Sequence, residues 1–473
     1  MRKRYLGRRE FIKSSLALGL GAAIAPRIRA QGANNRVNLG LIGAGTRGRL
    51  LANQFNDLGN VSVIAVSDPD TELMERVDGA VKHQDYRRIL EMPDIDAVII
   101  ASPNHWHASA MIAACQAGKH VYVEKPLTHC IWEGRKMVEA ARKYKRIVQS
   151  GTQHRSCPSL VRAGEDLRSG VYGRVKWIHS MQLNNRNSIG KVNQPQPVPA
   201  HIDYNLWAGP APMTPVMRRS FHYDWHWQWN WGDGEMGNWG VHYLDDLCNL
   251  FRWDKAPTSV IGGGGRFVWD DNGETPNMHF ALMEHSGIPI VAEIRNLPVS
   301  SERRTGASYQ GYRHGNIIQC ENAVIKLSRG GGAAFDNDGN EIKPYVGNGG
   351  RDHASNFIDA IRSGRAGDLN APVEGGVLSS AICQQANISY RLGRAASIDQ
   401  VRAGMAHHDD ALFTVNEVVS QINGNDGDLG LMQLGPKLTY DPDSEEFIGA
   451  HSQEANQYLR YEMRPEFAVP EQV

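Results

Sequence analysis

Two regimes of apolar patterning follow one another along the chain. From Val37 to Ser150, short β-branched apolar runs alternate with stretches of helical period. VNLGLI leads into Arg49 to Asp57, and Val61 to Val66 follows. DAVIIA (Asp96 to Ala101) leads into His105 to Ala117, His120 to Val123 into Ile131 to Lys143, and Arg146 to Ser150 closes the series. Apolar strands separated by helices of this length predict a parallel, doubly wound sheet that binds ligands beyond the carboxyl ends of its strands. From about Arg174 the runs alternate instead: Val175 to Leu183, Thr258 to Phe267, Met278 to Glu284, Ile288 to Arg295, Asn316 to Cys320 and Ala323 to Leu327. That pattern predicts a largely antiparallel sheet, interrupted by one helix over Glu235 to Phe251. Residues 329–350 are rich in Gly and Asn and are read as a loop, while His353 to Arg362 and Gly376 to Leu392 are read as helices. The last 75 or so residues have weak periodicity and read as an extended arm over the body or a neighbouring subunit.

The first strand runs into Gly43-Ala44-Gly45-Thr46-Arg47-Gly48, and the second ends on Ser67-Asp68, twenty positions after Gly48. Glycines after a strand and before a helix, with an acid ending the next strand, form the dinucleotide-binding context. Gly43 permits the tight turn, Gly45 lets backbone approach a pyrophosphate, and Gly48 allows close helix–sheet packing. With Thr46 and Arg47 these residues are the expected phosphate cradle at the positive end of a helix. Asp68 is suited to ribose hydroxyls and repels a 2′-phosphate, and no Lys or Arg flanks it, so NAD is favoured over NADP. The expected fold class is α/β: an N-terminal Rossmann doubly wound parallel sheet, then an α+β domain with a largely antiparallel open sheet. The expected divisions are a signal peptide over 1–30, an NAD-binding domain over 36–155, a substrate and oligomerisation domain over 156–396, and a C-terminal arm over 397–473.

Charge changes this picture at one end. Of 51 basic and 51 acidic residues, eight basic and one acidic lie in the first thirty positions, so the remainder carries 43 against 50. A formal charge near −7 argues against nucleic-acid binding through net charge. Arg8-Arg9-Glu10-Phe11-Ile12-Lys13 followed by apolar Leu16 to Ala25 reads as a twin-arginine export signal, with the protein expected in the periplasm or outside the cell. No later run is long enough to span a membrane. Six cysteines without a C-x-x-C pair signal neither a zinc site nor a disulfide framework.

With GAGTRG, ASPNHWH, VYVEKPLT and GNWGVHYLD in this order, the chain resembles the Gfo/Idh/MocA oxidoreductases over roughly Arg36 to Ala396. The resemblance implies an NAD(P)-dependent reaction on a sugar or polyol, in a homo-oligomer of two or four subunits. It places Ser102, Asn104 and His107 along the nicotinamide ribose, and Glu124 and Lys125 beside the nicotinamide with Lys125 facing substrate. It also implies a cis peptide before Pro126. The family's second catalytic element, an Asp four residues before a His, falls on Asn238 and His242. Asn in place of Asp can hydrogen-bond a hydroxyl but cannot take its proton, and Asp245, one turn on, is a candidate to orient His242.

Lys125 and His242 are thus the two candidate proton acceptors. Between them in sequence lies Phe221-His222-Tyr223-Asp224-Trp225-His226-Trp227-Gln228-Trp229-Asn230-Trp231, which with Trp239 holds five of the eleven tryptophans. Strict alternation predicts an extended segment with one face lining a sugar site, where His222, Tyr223 and Trp225 would meet the substrate beside Asn238 and His242. Arg155 is a further candidate for a substrate hydroxyl or carboxylate. His222, Asp224, His226 and His242 could instead gather round a metal, although their spacing matches no zinc motif, so no metal is expected. An exported NAD enzyme has no pool to recycle a released cofactor, so it is expected to hold NAD tightly. That leaves three readings: oxidation of a carbohydrate hydroxyl, redox-neutral glycoside cleavage, or a binding protein that keeps NAD without turnover.

Overall fold

The computed structural model describes residues 36–473, and the export signal expected over 1–30 lies outside them. The first sheet holds six parallel strands: β1 (Val37–Ile42), β2 (Val61–Ser67), β3 (Val81–His83), β4 (Ala97–Ile100), β5 (His120–Val123) and β6 (Val148–Ser150). Their order is 3-2-1-4-5-6. The order of strand addition reverses between β1 and β4, and a crevice opens there beyond the strand ends. β1, β4 and β5 are almost wholly buried, which is why they read as unbroken apolar runs. Helices α1 (Thr46–Asn56), α2 (His107–Gln116) and α3 (Ile131–Lys143) cross over between strands.

The second sheet is mixed and mostly antiparallel. Its spine is β7 (Val175–Gln182), β8 (Ser259–Gly265), β9 (Met278–His285), β10 (Ile288–Arg295), β11 (His314–Cys320) and β12 (Val324–Ser328). Only β7 and β10 pair in parallel within it. The stretch expected as a loop over 329–350 instead extends this sheet with β13 (Gly331–Phe335) and β14 (Glu341–Val346). Glycine has no side chain to show a period, and β14 is exposed at five of six positions, so neither strand leaves an alternating pattern.

The sheet's alternation sorts its residues to two faces. Ala281, Met283, Ile290, Ala292 and Ile294 join the core under α4 (Val241–Phe251) and α5 (Val373–Arg391). Met278, Phe280 and Val291 point the other way, onto α6 (Ile398–Met405) and α7 (Asp409–Asn423). These two helices lie where weak periodicity suggested an extended arm. Ser397 caps the first of them in a capping box with Gln400, and both bury one apolar stripe on the sheet. Helix α5 also lies against α3, where Val377 fits the space left by Gly134. It thereby ties the two sheets together.

Candidate active site

At the switch point the structure opens a cavity of about 1090 Å³. Single small-molecule sites usually enclose about 300–1,000 Å³. Gly43 sits at φ +95, and a Cβ there would lie 2.6 Å from the Ala101–Ser102 backbone. A Cβ at Gly48 would meet the Gly43 carbonyl at 1.9 Å, so only glycine lets α1 start this close to the sheet. At Gly45 an added Cβ would meet nothing within 4 Å, so this side is open. Gly45 also begins α1 without a side-chain cap, leaving first-turn N–H groups for an anionic ligand. Ser102 Oγ and Gln153 Oε1, both from residues lining the cavity, are buried with no hydrogen-bond partner among the described residues. These features fit a dinucleotide.

Asp68 is buried at the end of β2, accepting from Ala44 N at 2.7 Å and Asp70 N at 2.9 Å. Each oxygen keeps a lone pair for a ribose hydroxyl. Burial pushes its carboxyl up to about 6. A second buried carboxylate, Asp70, caps the helix Thr71–Met74 and accepts from His222 Nε2 at 2.8 Å. Two acids at this end of the cavity oppose a 2′-phosphate.

The strand ends supply the reacting side. The Lys125–Pro126 peptide is cis. Glu124 pairs with Arg47 at 2.7 Å, so these two expected cofactor ligands hold each other. Lys125 Nζ donates to the Asn238 carbonyl at 2.8 Å and to its Oδ1 at 3.2 Å. Burial lowers the lysine to about 8, against the pull of Glu124. Residues Met236–Gly240 form a π-helical turn ahead of α4, and Asn238 lies in its middle. Turns of this kind widen a helix and offer backbone carbonyls to groups outside it.

Asn238 Nδ2 donates to Glu235 Oε2 at 3.1 Å, while Glu235 Oε1 accepts from Arg186 at 2.7 Å. Glu235 therefore fixes which way the Asn238 amide faces. His242 lines the same cavity and is held well below the ordinary imidazole range, by burial first and then by the Lys125 charge. That environment favours its neutral form.

Gly43, Gly45, Thr46, Arg47, Asp68, Ser102, Asn104, His107, Glu124, Lys125, His222, Tyr223, Trp225, Asn238 and His242 all line the cavity. Several do other work than expected. His107 has both ring nitrogens against backbone carbonyls, Pro126 at 2.6 Å and Ser102 at 2.9 Å, so it braces the strand ends. The Asn104 amide donates to Asp233 at 2.8 Å. Arg155 does not reach the cavity: it is buried in a bidentate pair with Asp245 at 2.8–3.0 Å. The same pair removes Asp245 as the group that orients His242.

The tryptophan-rich segment is not extended. Asp224–Trp227 is a 3₁₀ turn, entered through Tyr223 at φ +74. Trp207, Phe221 and Trp231 enclose the guanidinium of Arg218 at 4.6–4.9 Å, so much of the aromatic surface contacts a buried arginine of the same chain. Trp225 alone of the alternating tryptophans lines the cavity, with His226 stacked on it at 3.7 Å. Among the described residues no three His, Cys, Asp or Glu gather as for a metal.

Sequence reasoning missed two residues here. Glu235 stands one helical turn before Asn238, a spacing that could have exposed it. Arg329 lies in the stretch read as a loop and carried no signal; it lines the cavity near His242.

Residues 37–152 match the family model described as oxidoreductase family, NAD-binding Rossmann fold. Residues 178–265 match that for the C-terminal alpha/beta domain of the same family. Inositol 2-dehydrogenase 4 of Saccharopolyspora erythraea is 32% identical over 167 residues, covering 34% of this chain and 49% of that protein. A glycosyl hydrolase family 109 protein of Solibacter usitatus is 27% identical over 246 residues, 42% of this chain and 56% of that one. The chain thus spans about half the length of these curated relatives. A levoglucosan dehydrogenase solved with NADH and levoglucosan superposes with a TM-score of 0.55 at 18% identity, covering 74% of this chain and 96% of that one, which supports the fold. In order along the chain, residues 37–152 and 178–265 thus match the two family models of the Gfo/Idh/MocA oxidoreductases, the NAD-binding Rossmann fold and the C-terminal alpha/beta domain.

Proposed function

We propose that this protein oxidises a hydroxyl of a carbohydrate or polyol with NAD held in the cavity. The observation that carries the reading is Lys125: a half-buried amine whose pKa is lowered to about 8, at the end of β5 where the cradle meets the second domain. NAD, when bound, supplies the hydride acceptor. The chain's own groups manage the proton and the geometry. Lys125 takes the hydroxyl proton, and a base with a pKa near the working pH suits that transfer. Asn238, oriented by Glu235, holds the Nζ in place. His242, neutral, accepts a hydrogen bond from the substrate hydroxyl or its neighbour. Asn238 and His242 are buried and Lys125 is half-buried, which limits competition from water.

The test starts with purified protein: heat-released nucleotide is identified, then NADH formation is followed with hexoses and polyols. Lys125→Ala is expected to retain NAD and to lose turnover by about 10²–10⁴-fold, the usual contribution of one acid–base group. Unchanged turnover would remove Lys125 from the chemistry.

A second reading, redox-neutral glycoside cleavage, draws on the similarity to the glycosyl hydrolase family 109 protein. It suits the expected export through the twin-arginine route, since a cofactor returned to its starting state needs no external pool. Release of p-nitrophenol from a nitrophenyl glycoside, with bound NAD and no net NADH, selects this reading over the first.

A further inference from the structure

We propose that Arg329 anchors a carboxylate on the substrate, so that the sugar taken by this site is an acidic one, a uronic or aldonic acid. The inference rests on the oxidoreductase reading and narrows its substrate class.

Arg329 enters the cavity from the turn between β12 and β13, and it is held on two sides. Its Nε donates to His154 Nε2 at 3.0 Å. A guanidinium can only donate, so His154 Nε2 must accept, and the imidazole proton lies on Nδ1, which donates to Asp246 at 3.2 Å. The guanidinium carbon lies over Trp239, 5.2 Å from the ring centroid, and Trp239 in turn lies 5.6 Å from His242. One edge is thus fixed by hydrogen bonding, and an aromatic ring lies beside the group. The two terminal nitrogens have no partner among the described residues. An arginine held this way presents its fork ready-made for a bidentate carboxylate.

Of the nearby acids, Glu124 pairs with Arg47 and Glu235 with Arg186, while Asp246 hydrogen-bonds the neutral His154 and offsets only part of the positive charge. Lys125 and Arg329 remain as two cations flanking His242, and both charges act on it. A neutral sugar leaves this surplus uncompensated in a buried site, whereas a carboxylate opposite Arg329 balances it. The carboxylate also places the rest of the sugar: gripped at Arg329, it presents a carbinol toward Lys125, across His242.

The experiment uses the NAD-loaded protein and three matched pairs: glucose with glucuronate, galactose with galacturonate, and sorbitol with gluconate. Binding is read by calorimetry, and NADH formation is read separately. At least one acid is expected to bind ten-fold or more tighter than its neutral partner. That preference should vanish in Arg329→Gln and survive in part in Arg329→Lys, with NAD content and melting temperature of both variants unchanged. Equal or weaker binding of all three acids overturns the proposal, as does a preference that persists in Arg329→Gln. Neutral sugars oxidised without acid preference would leave the oxidoreductase reading intact and remove Arg329 as an anchor. Acids bound through Arg329 with no NADH from any compound would do the reverse.

Discussion

Asn238, as an amide in contact with Lys125, leaves burial to set how readily the lysine gives up its charge. A carboxylate at that position would sit within hydrogen-bond distance of the ammonium and stabilise it, whereas the amide present accepts a hydrogen bond without adding charge. Asn238→Asp is therefore expected to move Lys125 upward from about 8 by a unit or more. The pH dependence of Lys125 acetylation, followed by mass spectrometry, measures this without a substrate; an unmoved or lowered midpoint would contradict the account. The neighbouring residues show what a sequence can disclose at this scale. The glycine turn, Asp68 and Lys125 were legible because each sits at a fixed offset from a strand end. Arg155 was misjudged and Arg329 missed for one reason: a side chain's partner comes from a distant part of the chain. Asp245 claims the first at 2.8 Å, and no acid among the described residues claims the second.

Elements were legible where one physical period governed them and obscure where two demands competed. Buried parallel strands and amphipathic helices stood out, while β13, β14 and the 3₁₀ turn through Trp225 did not. Alternating tryptophans suggested a strand, but packing around Arg218 bends the backbone there. Helix α7 illustrates a polar version of this hidden pairing. His179 on β7 lies between Asp410 at the start of α7, at 2.6 Å, and Glu293 on β10, at 2.9 Å, entirely out of solvent. The two carboxylates raise its imidazole from 6.5 to about 9, although burial opposes this. A folded-state value above the unfolded one means that the contribution is complete below pH 6.5 and is lost as pH climbs through 9. The shift corresponds to about 3 kcal/mol. Urea denaturation at pH 7 and pH 10 should show a fall of that order. Asp410→Asn should lower stability at pH 7 and shrink the difference between the two pH values. An undiminished difference in the variant would show that other groups cause the alkaline loss.

For the whole molecule, the last residues matter more than their weak pattern suggests. Beyond Ile448 the chain returns to the Rossmann sheet. Leu459 O accepts from Trp132 N, Tyr461 meets Glu133, and Arg464 hydrogen-bonds the backbone of Asn205 and Gly209. Phe467 and Val469 are buried there, and Phe467 packs edge-on against Trp106 at 5.3 Å. Trp106 lines the cavity and donates through its indole nitrogen to Trp207 O. The tail thus supports one wall of the cofactor site from behind, at no point touching the cavity with Phe467 itself. Truncating a buried phenylalanine costs about 3–5 kcal/mol when the site cannot collapse. Phe467→Ala should cost about that much and loosen Trp106, so NAD should be lost faster on dialysis while Lys125 chemistry in the loaded protein stays intact. Denaturant midpoints together with nucleotide content after dialysis separate the two effects. A destabilised variant that retains its nucleotide fully would mean that the tail holds the fold alone, and that Trp106 keeps its place through Tyr86 and Trp207 without help from the chain's end.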